Sequence, residues 1–496
     1  MTGNPRADPA LGEYLAGKPL EIGSGPHLFL DDYLIEDRWA LRRQVNPPYP
    51  HMGNPIIIAD RAWEERPYRP QVFYDDEIGK YRMYYQCFNG TNYWTGKGPS
   101  YYSCYAESPD GLNWTKPEWD DSPFACALGT FRATNVITVG NDRNARVQAP
   151  FVFRDHRQSD PAKKYSMIYN SAGLRLAHSP DGIHWTPAQP EPLFYYHSDT
   201  SNHVLWNEGL GKWALYMRPP MFGAGVHEGP GRRHYRRRTA VSLSDDLVRW
   251  SVPRTVLYPD ELDLPDYDAT HVFRYRDQYI GLITTLNQAE GATNEVTLAT
   301  SRDGLVWERP LPRQVWLKRG GEGAFDAGCA LSPFAPIWRG WDLWFYYSGF
   351  PQPQQVFDQE GAIGLVKLMG DRFLSLEAPA DEYGYLLTKE FIWGGRRLLV
   401  NCRMRHGDQD TYGDLRVEIV KRPNDADPAG RMGVVVPGCS LGECDLIRSD
   451  CPNQVVKWQG RDDLGFLDRQ PVYLRFRVRN GGLFSFAMEN DASSRG

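Results

Sequence analysis

Long apolar runs are missing from this 496-residue chain. No stretch approaches the roughly 20 apolar residues that a membrane-crossing helix needs. The first twenty residues, MTGNPRADPALGEYLAGKPL, have no basic segment leading into a continuous apolar one. A soluble, cytoplasmic protein with no membrane partner is expected. A surplus of one charge is missing too: 56 Lys and Arg stand against 62 Asp and Glu, a net charge of −6, which gives no electrostatic reason to expect nucleic acid. Cysteines are few. Of the eight, only Cys439, Cys444 and Cys451 cluster, without a CxxC pair or a nearby histidine. Reduced structural thiols are therefore expected ahead of a disulfide or a zinc site. The eleven histidines show no HExxH spacing, and neither a Walker loop nor a Gly-x-Gly-x-x-Gly after a strand occurs. No catalytic metal, no organic cofactor and no serine-esterase chemistry are expected. A structural calcium in the axis of the fold is the alternative to having no ion at all.

Aromatic residues are abundant at 13%, with 16 Trp and 28 Tyr, and flat amphipathic rings suit both sheet packing and stacking on sugar faces. Several fall in a recurring string. AESPDGLNW ends at Trp114, AHSPDGIHW at Trp185, SLSDDLVRW at Trp250 and ATSRDGLVW at Trp307. Each follows a strand-like run such as YYSCYAES or EVTLATS, so each is read as a hairpin turn. Asp and Gly supply side-chain-to-backbone bonds and positive φ, and the tryptophan folds back over the turn. The tryptophans are 71, 65 and 57 residues apart, the size of a four-stranded sheet with its loops. That period points to propeller blades.

A second repeat lies upstream of the turns: RPQVFYDDEIGKYRMYYQ, VQAPFVFRDHRQSDPAKKYSMIYN, SNHVLWNEGLGKWALYMR, ATHVFRYRDQYIGLITT and GCALSPFAPIWRGWDLWFYYSG. In each, a strand enters, turns at a polar loop and returns as an apolar aromatic strand. Five units imply five blades, and the early strand HLFLDDYLIE is expected to close the ring. From about residue 380 the turn motif stops, and strands such as RRLLVNCRM, DLRVEIV and PVYLRFRVR read as an antiparallel β-sandwich. The expected fold is all-β: a five-bladed β-propeller over 1–377 and a sandwich over 378–496.

The Ser-x-Asp-Gly-x-x-Trp turns, the five blade units and the C-terminal sandwich resemble the five-bladed propeller glycoside hydrolases, the superfamily containing glycoside hydrolase families 32 and 43. HLFLDDYLIE, AWEERPYRPQVFYDDEIGKYRMYY, SDTSNHVLWNEGLGKWALYMR, GAFDAG and GDLRVEIV look like a bacterial family-32-like group. The resemblance implies hydrolysis of a glycosidic bond by paired carboxylates in the propeller cavity, with an oligosaccharide, among them a furanoside, as substrate.

Residues just before the first strand of each blade converge on such a cavity. They are Glu64, Tyr68, Arg69 and Gln71; Arg146 and Gln148; Asp199, Asn202 and His203; Asp266, Tyr267, Asp268 and His271; and Glu322 and Asp326. The acids Asp199, Asp326, Glu322, Glu64 and Asp268 are the catalytic candidates. Asp199 leads because blade three carries the general acid in the families resembled. The blade-one and blade-two acids of those families are replaced here by YRPQ and RVQAP. Glu64, or Asp31 and Asp32, are the available substitutes. Asp31, Asp32, Arg69, Gln148, Asn202, His203, Arg238, Tyr267 and His271 form the expected substrate-binding set. His203 and His271 hold equivalent places on adjacent blades. The basic run Arg232 to Arg238 reads first as a solvated loop; the alternative is that Arg238 or a neighbour reaches the cavity and grips a carboxylate, sulfate or phosphate. Convergence of Asp199, Asp268 and Asp326 would raise at least one pKa, leaving a protonated acid beside an ionised one. A non-catalytic carbohydrate-binding propeller, and a lyase or phosphorylase in the same cavity, remain the alternative readings.

Overall fold

The computed structural model describes residues 9–96, 98–119, 124–126, 128–140, 147–196, 198–219, 237–407, 412–422 and 433–490. Two compact units emerge, Pro47–Leu368 and the pair of segments Met1–Asn46 and Met369–Gly496.

The larger unit is a propeller built from five antiparallel meanders of four strands. The first comprises Pro67–Asp75, Lys80–Phe88, Tyr101–Ser108 and Val136–Ile137. The second comprises Gln148–Arg154, Tyr165–Asn170, Leu174–Ser179 and Thr186–Pro187. His203–Asn207, Lys212–Met217, Thr239–Ser244 and Arg254–Leu257 make the third. Asp266–Tyr275, Gln278–Asn287, Thr293–Ser301 and Val315–Leu317 make the fourth. The fifth runs Cys329–Leu331, Asp342–Phe350, Ala362–Met369 and then Tyr49–Pro50, and a single parallel bridge, Asn294 to Cys329, links it to the fourth. Apolar clusters fill the spaces between successive meanders: Tyr84 with Met167, Ile168 with Leu215, Tyr216 with Val272, and Trp344 with Met83. Phe345 of the fifth meets Trp316 and Phe273 of the fourth at 5.1 and 6.2 Å between ring centres.

The repeated turn works as a device in three parts. In the first copy Ser108 Oγ accepts from the amides of Asp110 and Gly111, and Asp110 Oδ1 accepts from those of Leu112 and Asn113. Those amides hold the Asp110 carboxyl far below the usual carboxylate range. Trp114 Nε1 then donates to the Gly111 carbonyl at 3.2 Å. The same serine and aspartate bonds recur at Ser179 and Asp181, Ser244 and Asp246, and at Ser301 and Asp303.

The third part comes from the preceding meander. Tyr346, Tyr84 and Tyr216 donate their hydroxyls to the carbonyls of Gly111, Gly182 and Gly304 at 2.9, 3.0 and 2.8 Å. A Cβ on any of these glycines would stand 2.6–2.7 Å from the tyrosine oxygen, and all three have positive φ. Glycine is required there by two independent constraints. The third turn departs from the pattern: Leu247 replaces glycine at φ 67°. The residue equivalent to the tyrosine is then Ile168, which packs with Leu247 in one apolar cluster. Where the tyrosine is absent, a side chain fits.

The second unit is a sandwich of two six-stranded sheets. Trp393, Phe476, Phe486, Val417 and Phe29 lie between them, all essentially buried. Here the structure corrects the expected boundary and closing strand. His27–Leu28 pairs with Gly481–Glu489, Ile35–Trp39 with Gly384–Thr388, and Arg42–Val45 with Leu374–Ala378. Thus HLFLDDYLIE belongs to the sandwich rather than to the ring. Tyr49–Pro50 and the bridge from Ile57 to Ile363 cover the edge of the fifth meander, which answers the need to hide a sheet edge. Cys439 and Cys444 are buried in the sandwich core, where desolvation pushes both thiols up to about 11. Among the described residues no helix is long and apolar enough to cross a membrane.

Candidate functional site

Irregularities at the start of three innermost strands shape a cavity. Strand register shifts between Tyr68 and Gln71, between Gln148 and Phe151, and between Tyr267 and Ala269. Such bulges bend a strand and re-aim side chains. The first two contain the pairs Arg69-Pro70 and Ala149-Pro150, with Arg69 at φ 52° and Ala149 at φ 49°. Proline suits a bulge because its missing N–H need not join the ladder.

A cavity of about 340 Å³ opens beside these bulges, lined by Arg66, Tyr68, Arg69, Gln148, Asp199, Arg237 and Asp268 and by an aromatic group comprising Phe88, Tyr93, Tyr101, Phe350 and Phe357. Tyr93 stacks on Phe357 at 5.8 Å and 13°, and it comes from a short helix, Gly90–Thr95, capped by Asn89. Half-exposed rings of this kind offer a face to a sugar.

Among the described residues two carboxylates reach the cavity, and they differ sharply. The Asp199 side chain is 46% exposed, whereas that of Asp268 is 3% exposed. Gln148 Nε2 donates to Asp199 Oδ1 at 3.1 Å, and Arg218 Nη1 lies 3.7 Å from Asp199 Oδ2. The Asp199 loop is pinned from behind. Asn170 donates to the Ser198 carbonyl at 2.7 Å, Ser198 Oγ donates to Asn202 Oδ1 at 2.6 Å, and Asn202 Nδ2 donates to the carbonyls of Ser198 and Thr200.

Asp268 is locked between arginines. Arg237 Nη1 donates to its Oδ1, and Arg218 Nη2 donates to the same oxygen at 3.3 Å and to the Asp268 carbonyl at 2.6 Å. Burial works against its charge, but Arg237, Arg218 and Arg69 outweigh it and hold the carboxyl below its usual range. Arg218, deeply buried and next to Arg237, falls to about 10 and is still a cation at neutral pH. Arg66 spends its donors on the carbonyls of Val356, Phe357 and Gln359 and lies over Phe88 and Phe350.

The structure brings together Arg69, Gln148, Asp199 and Asp268 of the expected set and separates the rest. The three acids expected to converge do not, because Asp326 lies elsewhere, and Asp268 is a shielded carboxylate whose pKa is lowered rather than raised. Asp326 accepts from Tyr347 Oη at 2.7 Å and lines a different cavity, of about 1060 Å³, with Lys318, Arg319 and Phe325. Glu322 is exposed and lines neither cavity. Glu64 is buried in an ion pair with Lys116 at 2.6 Å and accepts from Tyr85 Oη, so it cannot replace a cavity acid. Asp31 and Asp32 belong to the sandwich unit. There Asp31 accepts from the Tyr33 amide and Asp32 pairs with Arg43 at 2.7 Å.

Asn202 positions the Asp199 loop and does not line the cavity. His203 and His271 do lie side by side, ring centres 5.6 Å apart, but both are buried among Phe151, Tyr216 and Phe334. His203 Nε2 accepts from the Val272 amide, and His271 Nδ1 bonds the Ser332 carbonyl. Desolvation lowers His203 to about 4 and His271 well below its usual value. Both are neutral core residues, because aromatic rings from their own and other meanders enclose them. Tyr267 bonds Asp263 and Arg309 away from the cavity. Arg238 lines a small adjoining void with Arg218 and Asp268, while its neighbour Arg237 reaches the main cavity. Arg146 and Arg232 to Arg236 lie outside the described residues.

One string, Gly438-Cys439-Ser440-Leu441-Gly442, does match Gly-x-Ser-x-Gly. It forms a sandwich turn in which Ser440 Oγ donates to Glu443 Oε2 at 2.7 Å. It is not the strand-to-helix elbow of a serine hydrolase. Glu64, Cys87 and Cys104 offer atoms within 4.8 Å of one another, but Lys116 already occupies the Glu64 carboxylate, and its charge opposes a metal ion.

No family model and no curated protein matches the chain. Solved structures do. A thermostable family-43 glycoside hydrolase is 14% identical with a TM-score of 0.46, covering 65% of this chain and 96% of its own. An alpha-L-arabinofuranosidase from Podospora anserina in complex with cellotriose is 12% identical with a TM-score of 0.42, over 67% and 98%. A fructofuranosidase from Schwanniomyces occidentalis complexed with fructosylnystose is 10% identical with a TM-score of 0.41, over 96% and 100%.

Proposed function

We propose that this chain is a glycoside hydrolase that cleaves a glycosidic bond of an oligosaccharide in the propeller cavity, with furanosides as the first substrates to try. The observation that supports this most is Asp199: an accessible carboxylate, fixed by Gln148 and by a buried loop network, facing a cavity with an aromatic group. In that position it can exchange a proton with the glycosidic oxygen or with an attacking water. Asp268 takes no proton at neutral pH; it orders Arg218 and Arg237 around the site. Asp268 is thus a positioning residue.

That same ion pairing favours a second reading. Glycoside hydrolysis ordinarily uses two working carboxylates, and here the second is sequestered, as it would be in a carbohydrate-binding propeller without turnover. Incubating the full chain with aryl furanosides and with arabino-, xylo- and fructo-oligosaccharides, and measuring released reducing sugar, separates the two. Turnover abolished by Asp199→Asn supports the hydrolase. Saturable binding with no product from any substrate supports the binding module.

A further inference from the structure

Arg69 is placed as a ligand-binding cation and forms no ion pair among the described residues; Asp268 and Asp199 act on it only through space. Its backbone occupies the left-handed region inside a bulge, and its amide, freed from the ladder, donates to Ser348 Oγ at 2.7 Å. Residues other than glycine reach this region only against a backbone penalty, and the bulge holds Arg69 there. The guanidinium lies 5.3 Å from the Tyr68 ring and lines the cavity. Its Nη1 is buried and has no hydrogen-bond partner among the described residues.

The charges around it do not balance. Arg218 and Arg237 are engaged by Asp268, and Arg218 also by Asp199. Arg66 is bonded only to neutral carbonyls and to rings. Among the described residues four arginines therefore face two carboxylates, and neither carboxylate forms an ion pair with Arg69. A buried donor without an acceptor is costly, and the planar donors of a guanidinium match a carboxylate or sulfate in two-point fashion. A neutral sugar hydroxyl can accept one such bond but supplies neither the two-point match nor a negative charge.

Resting on the carbohydrate reading of the same cavity, we infer that its ligand is an anionic sugar, with a carboxylate or sulfate group seated on Arg69 while the ring stacks against the Tyr93 side. The two groups share oxyanion chemistry, and the experiment distinguishes them.

Calorimetric titration of the full chain would use uronate-bearing oligosaccharides from pectin, alginate and glycosaminoglycans, each beside the same material with its carboxyls reduced to alcohols. Sulfated oligosaccharides would be run beside their desulfated forms. The expected result is at least one acidic ligand whose affinity falls tenfold or more on carboxyl reduction, or on desulfation, which identifies the group. Arg69→Met should erase that difference and Arg69→Lys should keep part of it, with unchanged thermal melts showing that both variants fold. Neutral counterparts that bind as well as the acids, a preference that survives in Arg69→Met, or no binding by any acidic oligosaccharide would each overturn the inference. Because binding is read without turnover, an acid preference that persists in Asp199→Asn stands even if the chain hydrolyses nothing. Hydrolysis of neutral glycosides unaffected by Arg69→Met would sink only the anion.

Discussion

Replacing Gly304 by leucine and Tyr216 by isoleucine, singly and together, tests the repeated turn through its one natural exception. A side chain at Gly304 must adopt φ near 73°, and its Cβ would lie 2.7 Å from Tyr216 Oη. The backbone penalty is about 1–2 kcal/mol, and losing the hydrogen bond that Tyr216 donates to the Gly304 carbonyl adds about 1 kcal/mol. Gly304→Leu alone should therefore cost at least about 2–3 kcal/mol. Tyr216→Ile alone empties part of a buried ring site and costs about 2–4 kcal/mol. The double variant recreates the Ile168 and Leu247 pair, in which the leucine side chain fits the space that a tyrosine would fill. It should be more stable than the sum of the singles implies, by about 1–2 kcal/mol. Equilibrium urea unfolding of the four proteins closes the cycle. Strict additivity would refute the claim that the tyrosine excludes a side chain from the turn.

Other consequences follow from the buried charges and the cavity wall. With a folded pKa near 4 against an ordinary 6.5, His203 stays neutral in the native state while the unfolded chain takes up a proton below pH 6.5. Stability should thus be full above that value and fall by about 3 kcal/mol as pH drops toward 4; His203→Gln should flatten this part of the stability profile measured by urea titration. Lys116→Met should cost about 3–5 kcal/mol by leaving Glu64 charged and unpaired in the core, and adding Glu64→Gln should recover most of it in the same measurement. Tyr93→Ala, at the exposed face of the aromatic group, should weaken oligosaccharide binding by about 1 kcal/mol, read by calorimetry, with a small fall in melting temperature from the lost stack on Phe357.

Much of the propeller was legible because every residue of the turn string acts on its immediate neighbours. Ser108 and Asp110 hold amides, Gly111 supplies φ, and Trp114 covers the turn. The closing strand was not, since an alternating edge strand such as HLFLDD fits any sheet and nothing local says which. The equivalence of His203 and His271 was visible, but their burial, which reverses their meaning, comes from Phe151, Tyr216 and Phe334, which lie elsewhere in the sequence. Position before a blade's first strand brought Arg69 and Asp199 into the candidate set, and the family resemblance put Asp199 at its head; the structure places both at the cavity. Arg66 and Arg218 were missed, because an arginine at a strand end looks like any solvated charge until a fold buries it. A usable signal did exist: the matched Arg-Pro-Gln and Ala-Pro-Phe strings mark the two bulges that open the cavity.

The most direct test of the account is a paired measurement on Asp199→Asn, comparing turnover of a hydrolysed oligosaccharide with calorimetric binding of the same compound. A carboxylate that exchanges a proton at the glycosidic bond predicts a fall in kcat of about 10²-fold or more with affinity nearly unchanged, because asparagine has the same shape and its amide oxygen can keep the bond from Gln148. An Asp199→Asn protein that hydrolyses its substrate as fast as the parent would contradict the assignment of chemistry to this cavity.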